Sequence, residues 1–364
     1  MSYHFLMDLA LILLSTKILG LVAQKFQMPQ VVGALIAGLI LSPAGLGLLS
    51  ETEFTAQLSE LGVIVLMFSA GMGTDIKELK NSGKAGFMVA VLGVVVPFLM
   101  GTALAWGADE LGLIEATGFL ESVFIGTILT ATSVSITVET LKEMKKLETK
   151  VGNTILAAAL IDDVLGLVAL TLVCSLAGGD ESIGMVLLKI AGFFVFAFVV
   201  GFAANRVFCW MLKRQHGWAS HRNSVFAFVL CLVMAYCAEE FFGVADITGA
   251  YAAGLAVACT PKGTYIQTKY NPLGYLLLTP VFFASIGINV QITGLTGGML
   301  AFSLLLLLIS IISKLLGCGL GAKACHFSTR ESIQVGAGMA CRGEVAITVA
   351  ARPTPTKFTV ARIE

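Results

Sequence analysis

Long apolar runs separated by short polar clusters follow one another along nearly the whole chain of 364 residues. About twelve such runs can be distinguished, each near the roughly 20 residues that a helix needs to cross a bilayer. In lipid, every backbone N–H and C=O must find its partner within the chain, so only helices and closed barrels can span. The runs are too long and too uniformly apolar for barrel strands. The sequence therefore predicts an all-α polytopic membrane protein.

The charge content agrees with lipid as the surrounding solvent. Charged residues make up 13% of the chain, against about 25% in a typical soluble domain. Lys plus Arg number 23 and so do Asp plus Glu, which leaves no net charge to attract a nucleic acid. The eight cysteines stand singly, without a C-x-x-C pair, so neither a disulfide framework nor a metal site is predicted. Soluble, disordered and nucleic-acid-binding classes are thereby excluded, and no cofactor is expected.

The loops between the apolar runs alternate in charge. The predicted spans lie near residues 5–24, 30–49, 57–73, 86–106, 119–139, 150–177, 184–212, 223–241, 245–260, 272–289, 297–321 and 331–351. The odd-numbered loops between them carry the Lys and Arg residues, whereas the charges of the even-numbered loops are acidic. The positive-inside rule places the odd loops in the cytoplasm. The sequence therefore predicts a multi-pass protein of the cytoplasmic (inner) membrane with its N-terminus outside.

The segment 352–364 departs from this alternation. It would lie outside after twelve spans, yet it contains Arg352, Lys357 and Arg362 and is rich in Pro and Thr. We interpret it as an atypical tail that stands where a thirteenth span is expected.

Similar segments recur along the chain in the same order. The segment Gly33–Leu41 resembles Gly249–Val257, and Gly71 matches Gly287 at the same offset. At a slightly shorter offset, Val134-Ser-Ile-Thr-Val resembles Val345-Ala-Ile-Thr-Val. The matched spans are seven apart, and an odd separation gives the two copies opposite orientations in the membrane. Such inverted-topology repeats are typical of secondary transporters.

The repeat divides the single transporter domain, residues 1–364, into segments. We expect a first repeat at 1–177, a linker helix and loop at 178–222, and a truncated second repeat at 223–351.

Polar residues interrupt the matched apolar spans at corresponding places. The first interruption is Thr130-Ala-Thr-Ser-Val-Ser, and the second is Cys341-Arg-Gly-Glu-Val-Ala. Unwound backbone at membrane depth is tolerated where it lines a cavity, so the pattern predicts two broken helices that cross near the midplane. The alternatives are hydrogen bonds between helices for the Thr and Ser residues, and a cytoplasmic ion pair for Arg342 and Glu344.

Three ionisable residues stand out deep inside apolar runs: Asp162 and Asp163 in the sixth span, and Lys314 in the eleventh. Lys17 and Lys189 lie near span ends or within reach of the interface, so we interpret them as structural. A charge buried in lipid is costly and by default marks an ion or proton pathway. A purely structural ion pair would leave one aspartate unexplained. Adjacent helical residues point about 100° apart, so one carboxylate can pair with the lysine while the other faces a cavity. There it can hold either a proton or a monovalent cation, with oxygens of Thr130, Thr132 and unwound backbone completing the shell.

With these residues the chain resembles the monovalent cation:proton antiporter family, in its electrogenic sodium/proton branch with paired aspartates and the NhaA-like fold. The resemblance rests on A-x-x-x-D-D-x-x-G around Asp162, T-A-T-S from Thr130, the lysine of the eleventh span, and R-G-E-V-A from Arg342. It extends from the first span to about Val349. It implies a homodimer and an elevator movement of a core domain. We expect no soluble nucleotide-binding domain, which argues against the ligand-gated potassium-efflux relatives.

The resemblance also implies roles for individual residues. Asp163 would bind the cation or proton, and Asp162 would pair with Lys314 when no cation is bound. The crossover residues would be Thr130 and Thr132 at the first break, with Arg342 and Glu344 neutralising helix-end dipoles.

The predicted function is exchange of a monovalent cation, Na⁺ or Li⁺, for protons. Potassium/proton exchange is the alternative within the family, and a membrane sensor on the same fold is an alternative outside transport. An intramembrane aspartyl protease needs its two aspartates on separate, facing helices, whereas Asp162 and Asp163 are adjacent. No enzymatic activity is expected.

Overall fold

The computed structural model describes residues 3–112, 118–176, 183–213, 220–260, 263–290 and 297–343. All regular secondary structure in these ranges is helical, which confirms the predicted all-α class. The helices are α1 (His4–Lys25), α2 (Gln30–Leu41), α3 (Glu53–Met72), α4 (Ile76–Glu110), α5 (Phe119–Ile128), α6 (Val134–Glu143), α7 (Lys150–Leu176), α8 (Ile183–Lys213), α9 (Ser220–Phe242), α10 (Asp246–Ala258), α11 (Gly263–Leu273), α12 (Thr279–Ile288), α13 (Gly297–Ala324) and α14 (Thr329–Gly338).

Eight helical segments of the described residues are long and apolar enough to cross a membrane, so the protein is a multi-pass membrane protein. Helices α11 and α12 form one of them, Gly263–Ile288, together with the π-helical turn between them. The predicted spans at 30–49, 119–139, 245–260 and 331–351 correspond to shorter helices. The count of twelve spans stays a prediction.

A π-helical turn at Gly274–Leu278 interrupts the helical segment that runs from α11 into α12. Pro272 precedes this turn and Pro280 follows it. A proline inside a helix cannot donate its hydrogen bond and crowds the carbonyl four residues earlier, and a local widening of the helix accommodates it. The apolar pattern of the sequence does not reveal this turn.

The chain forms two compact units. The first consists of Met1–Ile76, Lys142–Met144 and Lys189–Gln291. The second consists of Lys77–Leu141, Lys145–Leu188 and Ile292–Glu364. Each unit contains helices from both predicted repeats.

Glycines bring helices of the first unit into direct backbone contact. A Cβ placed on Gly38 of α2 would collide with the carbonyl of Ala284 in α12, and one on Gly254 of α10 would collide with that of Phe68 in α3. Small residues at helix interfaces allow such close approach in membrane proteins. The helix pairs α2–α12 and α3–α10 are therefore packed in the same manner.

The residues in these contacts are related by one sequence offset. Gly38 and Gly254 are 216 positions apart, and so are Gly71 and Gly287, which face them across the two interfaces. Gly62 and Leu278 have the same separation, and a Cβ on Gly62 would lie 2.7 Å from the Leu278 carbonyl oxygen. Contacts between equivalent positions are what a duplicated, two-fold-related pair of segments would produce.

The second unit holds the described candidate site residues. Helices α5 and α7 pack through Val123, Phe124, Leu170 and Val173. Helix α14 contacts both α7 and α13. This packing brings the broken fifth span, the aspartate pair and the lysine of α13 into one unit.

Candidate functional site

Lys314 and Asp162 form a buried ion pair. Lys314 lies in the middle of α13, and its Nζ donates to Asp162 Oδ1 at 2.8 Å and to Oδ2 at 2.9 Å. The side chain of Lys314 is 0% exposed and that of Asp162 is 1% exposed. A buried charge is tolerated only when an opposite charge and hydrogen bonds replace its lost water. The two groups therefore depend on each other for their burial.

Asp163 occupies a different environment from its neighbour. It follows Asp162 on α7 but is half-buried rather than fully buried. Because adjacent residues of a helix point about 100° apart, the two carboxylates face different surroundings. Lys314 balances the charge of Asp162. Asp163 is the second of the two adjacent aspartates and is not part of this ion pair.

The first predicted break lies at residues 129–133, between α5 and α6. Thr130 and Thr132 are both buried there. The Thr130 hydroxyl donates to the carbonyl of Thr127 at 2.7 Å, so its oxygen can still accept. The Thr132 hydroxyl makes no hydrogen bond within the described part of the chain.

The break lies beside α7. A Cβ placed on Gly166 of α7 would lie 3.9 Å from the Thr130 Oγ1 atom. Gly166 is three residues after Asp163 and thus lies on nearly the same helix face. The structure therefore brings Thr130 next to α7, one turn from the aspartates.

A second non-helical segment meets the first. Helix α14 ends at Gly338, and residues 341–343 are not helical. The Ser133 backbone N–H donates to the Cys341 carbonyl at 3.0 Å, and the Thr137 hydroxyl donates to the Gly338 carbonyl at 3.1 Å. These bonds satisfy backbone groups that the helix ends leave unpaired.

Arg342 lies at this meeting point. Its Nε donates to the Ser310 hydroxyl at 2.9 Å, and Ser310 is one turn before Lys314 on α13. Both Nη atoms are buried and make no hydrogen bond to the residues that the structure describes. A cation just beyond the carboxyl end of α14 is favoured by the helix dipole. Glu344, the predicted companion of Arg342, lies outside the described residues.

The structure adds residues that the sequence analysis does not single out. Ser310 holds Arg342, Gly166 borders Thr130, and Gly93 and Cys318 border the ion pair. Small and weakly polar residues are common in membrane helices, so none of them stands out in the sequence. A serine one turn from a buried lysine is the only signal that could have identified Ser310.

Carboxylate oxygens of Asp162 and Asp163 and hydroxyl oxygens of Thr130 and Thr132 belong to the same compact unit. Such hard oxygen donors suit a proton or a hard cation rather than a soft metal. Oxygen donors of this kind can hold a proton or a hard cation, and the Asp162–Lys314 ion pair adds no net charge to them.

Comparisons with known proteins show which family this chain is similar to. The sequence profile of the family described as "Sodium/hydrogen exchanger, transmembrane" matches residues 10–360. The "Probable Na(+)/H(+) antiporter GerT" of Bacillus cereus is 39% identical over 95% of this chain and 90% of its own length. The "Na(+)/H(+)-K(+) antiporter GerN" of the same organism is 37% identical over 96% of this chain and 88% of its own.

A solved structure shares the fold. The sodium proton antiporter MjNhaP1 of Methanocaldococcus jannaschii superimposes with a TM-score of 0.72 over 96% of this chain and 85% of that chain, at 20% sequence identity. With a family match over nearly all of its length and relatives well above 30% identity, the chain belongs to the transmembrane sodium/hydrogen exchanger family, whose members are antiporters rather than enzymes.

Proposed function

We propose that this protein is a secondary active antiporter that exchanges Na⁺ for protons across the cytoplasmic membrane, with Asp163 as the carboxylate that binds either ion. The observation that carries the proposal is the bidentate pair of Asp162 and Lys314 beside the half-buried Asp163. Ionisable groups at such positions in a membrane protein mark ion pathways by default.

Charge balance explains why Asp163 takes the mobile ion. Lys314 neutralises Asp162, so a cation that enters the site meets the second carboxylate as its counter-charge. A proton and a sodium ion each neutralise Asp163, and they compete for it. Exchange follows when the site opens alternately to the two sides of the membrane while Asp163 carries one ion or the other.

Oxygens of the first break complete the proposed ion shell. Thr132 has a buried hydroxyl with no hydrogen bond to a described residue, and Thr130 retains acceptor capacity beside α7. We assign Arg342, and with it Glu344, to the charges of the helix ends at the breaks. We assign to Lys314 the electrogenic character of the exchange, because it is a second group that can give up a proton in the cycle.

We place the movement of the cycle in the second unit, as an elevator, because that unit carries Asp162, Asp163, Lys314 and the first helix break. Helix contacts related by one sequence offset support an inverted repeat, which would give the inward and outward states similar energies. The homodimer and the outward N-terminus belong to the same proposal.

The test is ion-driven proton movement in everted membrane vesicles. Respiration acidifies the vesicles, and addition of sodium, lithium or potassium then reports exchange as dequenching of a pH-gradient dye. We expect sodium and lithium to dequench with wild type and not with Asp163→Ala. A response to potassium alone would contradict the sodium assignment.

Potassium/proton exchange is the second candidate. The relative GerN carries potassium as well as sodium in its name, which favours a potassium mode in this chain. The same vesicles decide between them from the order of the responses to the three cations. A membrane sensor on this fold would give no response to any cation.

A further inference from the structure

Helices α4 and α13 touch backbone to backbone beside the ion pair. A Cβ placed on Gly317 of α13 would collide with the Leu92 carbonyl of α4, and one on Gly321 would lie 2.8 Å from Val89 Cα. Glycines four residues apart on one face permit such a close crossing in membranes. Lys314 lies one turn earlier on the same helix, so this crossing fixes the helix that carries it.

Gly93 of α4 faces three groups at once. A Cβ placed there would lie 2.6 Å from Cys318 Sγ, 3.7 Å from Asp162 Oδ1 and 3.7 Å from Lys314 Nζ. The first distance is an overlap, whereas the other two are ordinary contacts. The missing side chain of Gly93 therefore leaves its space to the thiol of Cys318, which is 0% exposed.

We propose that Gly93 and Cys318 are positioning residues that wall the Asp162–Lys314 pair on its α4 side and hold the lysine on the carboxylate; the proposal rests on the function assigned above. Neither residue supplies a charge or ligates the transported ion. They act through Asp162, whose backbone is joined directly to that of Asp163.

The chemistry of the thiol suits this role. Sulfur is large and polarisable but a weak hydrogen-bonding group, so it fills the space without competing for the donors of Lys314 or the acceptors of Asp162. A methyl group at position 93 would displace the sulfur or push α4 away from α13. Either change opens the wall and releases the pair from its position.

The test is a double-mutant cycle on the full-length protein. The variants are Gly93→Ala, Cys318→Ala and the double substitution. Gly83→Ala and Gly107→Ala are matched controls, because both lie on α4 and a Cβ there meets no atom within 4 Å. Each purified variant is assayed for its melting temperature in detergent, and for the KM and maximal rate of sodium-driven proton movement in proteoliposomes.

We expect Gly93→Ala to lower the ratio of maximal rate to KM by roughly tenfold, since an overlap in a packed core displaces its neighbours. Removal of the sulfur relieves the overlap, so the double variant should return to within about threefold of Cys318→Ala. The sodium KM should change in Gly93→Ala, and the two controls should match wild type.

Cys318→Ser supplies a variant that keeps the shape of the side chain but replaces the sulfur by a smaller hydroxyl oxygen. Its hydroxyl competes for Lys314 and Asp162, so we expect a changed sodium KM with an unchanged melting temperature. A changed sodium KM at an unchanged melting temperature would show that Cys318 positions the ion pair and does not only fill space.

Two results would overturn the proposal. One is strict additivity of Gly93→Ala and Cys318→Ala. The other is coupling in melting temperature without any change in sodium KM, which would leave the contact purely structural. A wild type that moves no cation would instead contradict the proposed function, whereas additive melting temperatures would overturn the contact between Gly93 and Cys318 whether or not the protein moves a cation.

Discussion

Lys314 is a cation with no exposed surface in the middle of a 28-residue apolar helix. Its ammonium group donates two hydrogen bonds to the Asp162 carboxylate. Such a pair gives little net stability against an apolar core, but loss of one partner leaves the other charge buried and uncompensated. We therefore propose a role in transport, rather than in stability, for the pair.

Removal of one partner should destabilise the protein more than removal of both. Lys314→Ala alone should cost about 3–5 kcal/mol because Asp162 stays charged and buried. The double variant Asp162→Asn, Lys314→Ala should recover part of this loss. Denaturation of the purified proteins measures both values, and a double variant less stable than Lys314→Ala would argue against mutual compensation.

The lysine should also set the charge moved in each cycle. With Lys314→Gln we expect sodium to drive some proton exchange while the current is lost, because one group that can release a proton is gone. Capacitive currents from proteoliposomes on a solid-supported membrane measure this. A current equal to that of wild type would refute the role.

Ser310 should matter through Arg342. Ser310→Ala removes the acceptor of the Arg342 Nε hydrogen bond, and bonds to charged groups are worth about 1.5–3 kcal/mol. Ser303→Ala is the matched control, because Ser303 lies exposed on the same helix. A melting temperature equally unchanged in both variants would show that the bond contributes nothing.

At the scale of single residues, the sequence identifies the charged residues of the site but not the small residues that pack against them. Asp162, Asp163 and Lys314 stand out because charges are rare inside apolar runs. Cys318 and Gly93 do not stand out, because their importance lies in how closely two helices approach. That distance depends on packing between segments more than 200 positions apart in the chain.

At the scale of the helices, glycine contacts hold the first unit together. Gly38→Ala and Gly254→Ala should each destabilise the protein by about 1–3 kcal/mol, because the added methyl collides with a backbone carbonyl that cannot move aside. Gly83→Ala, with open space around it, should leave stability unchanged. Thermal denaturation of the three variants tests this, and equal melting temperatures would contradict the packing described for α2–α12 and α3–α10.

Helix breaks differ in how visible they are in the sequence. The interruption at Thr130–Ser135 is predictable because a cluster of hydroxyl residues breaks an apolar run, and the structure has its break at residues 129–133. The early end of α2 at Leu41 is not predicted, although Pro43 disfavours a helical conformation at Ser42. The π-helical turn at Gly274–Leu278 depends on backbone geometry that apolar periodicity does not report.

At the scale of the whole molecule, the sequence predicts the membrane class, the family and the repeat, but not the assembly of the helices. Three matches in the same order indicate the duplication, and contacts related by one offset occur within the first unit. Each compact unit combines helices of both repeats. The order of the helices along the chain does not reveal this combination. It results from which apolar faces fit together in three dimensions.

Sodium-driven proton movement by the purified protein tests the central claim most directly. Proteoliposomes loaded with sodium and a pH dye are diluted into sodium-free buffer, so that sodium leaves and protons enter through the protein alone. We predict rapid acidification of the lumen with wild type and with Glu240→Gln, which alters an exposed acid, and none above empty liposomes with Asp163→Asn. Sodium-driven acidification that persists in Asp163→Asn would contradict the claim that cation and proton compete for this carboxylate.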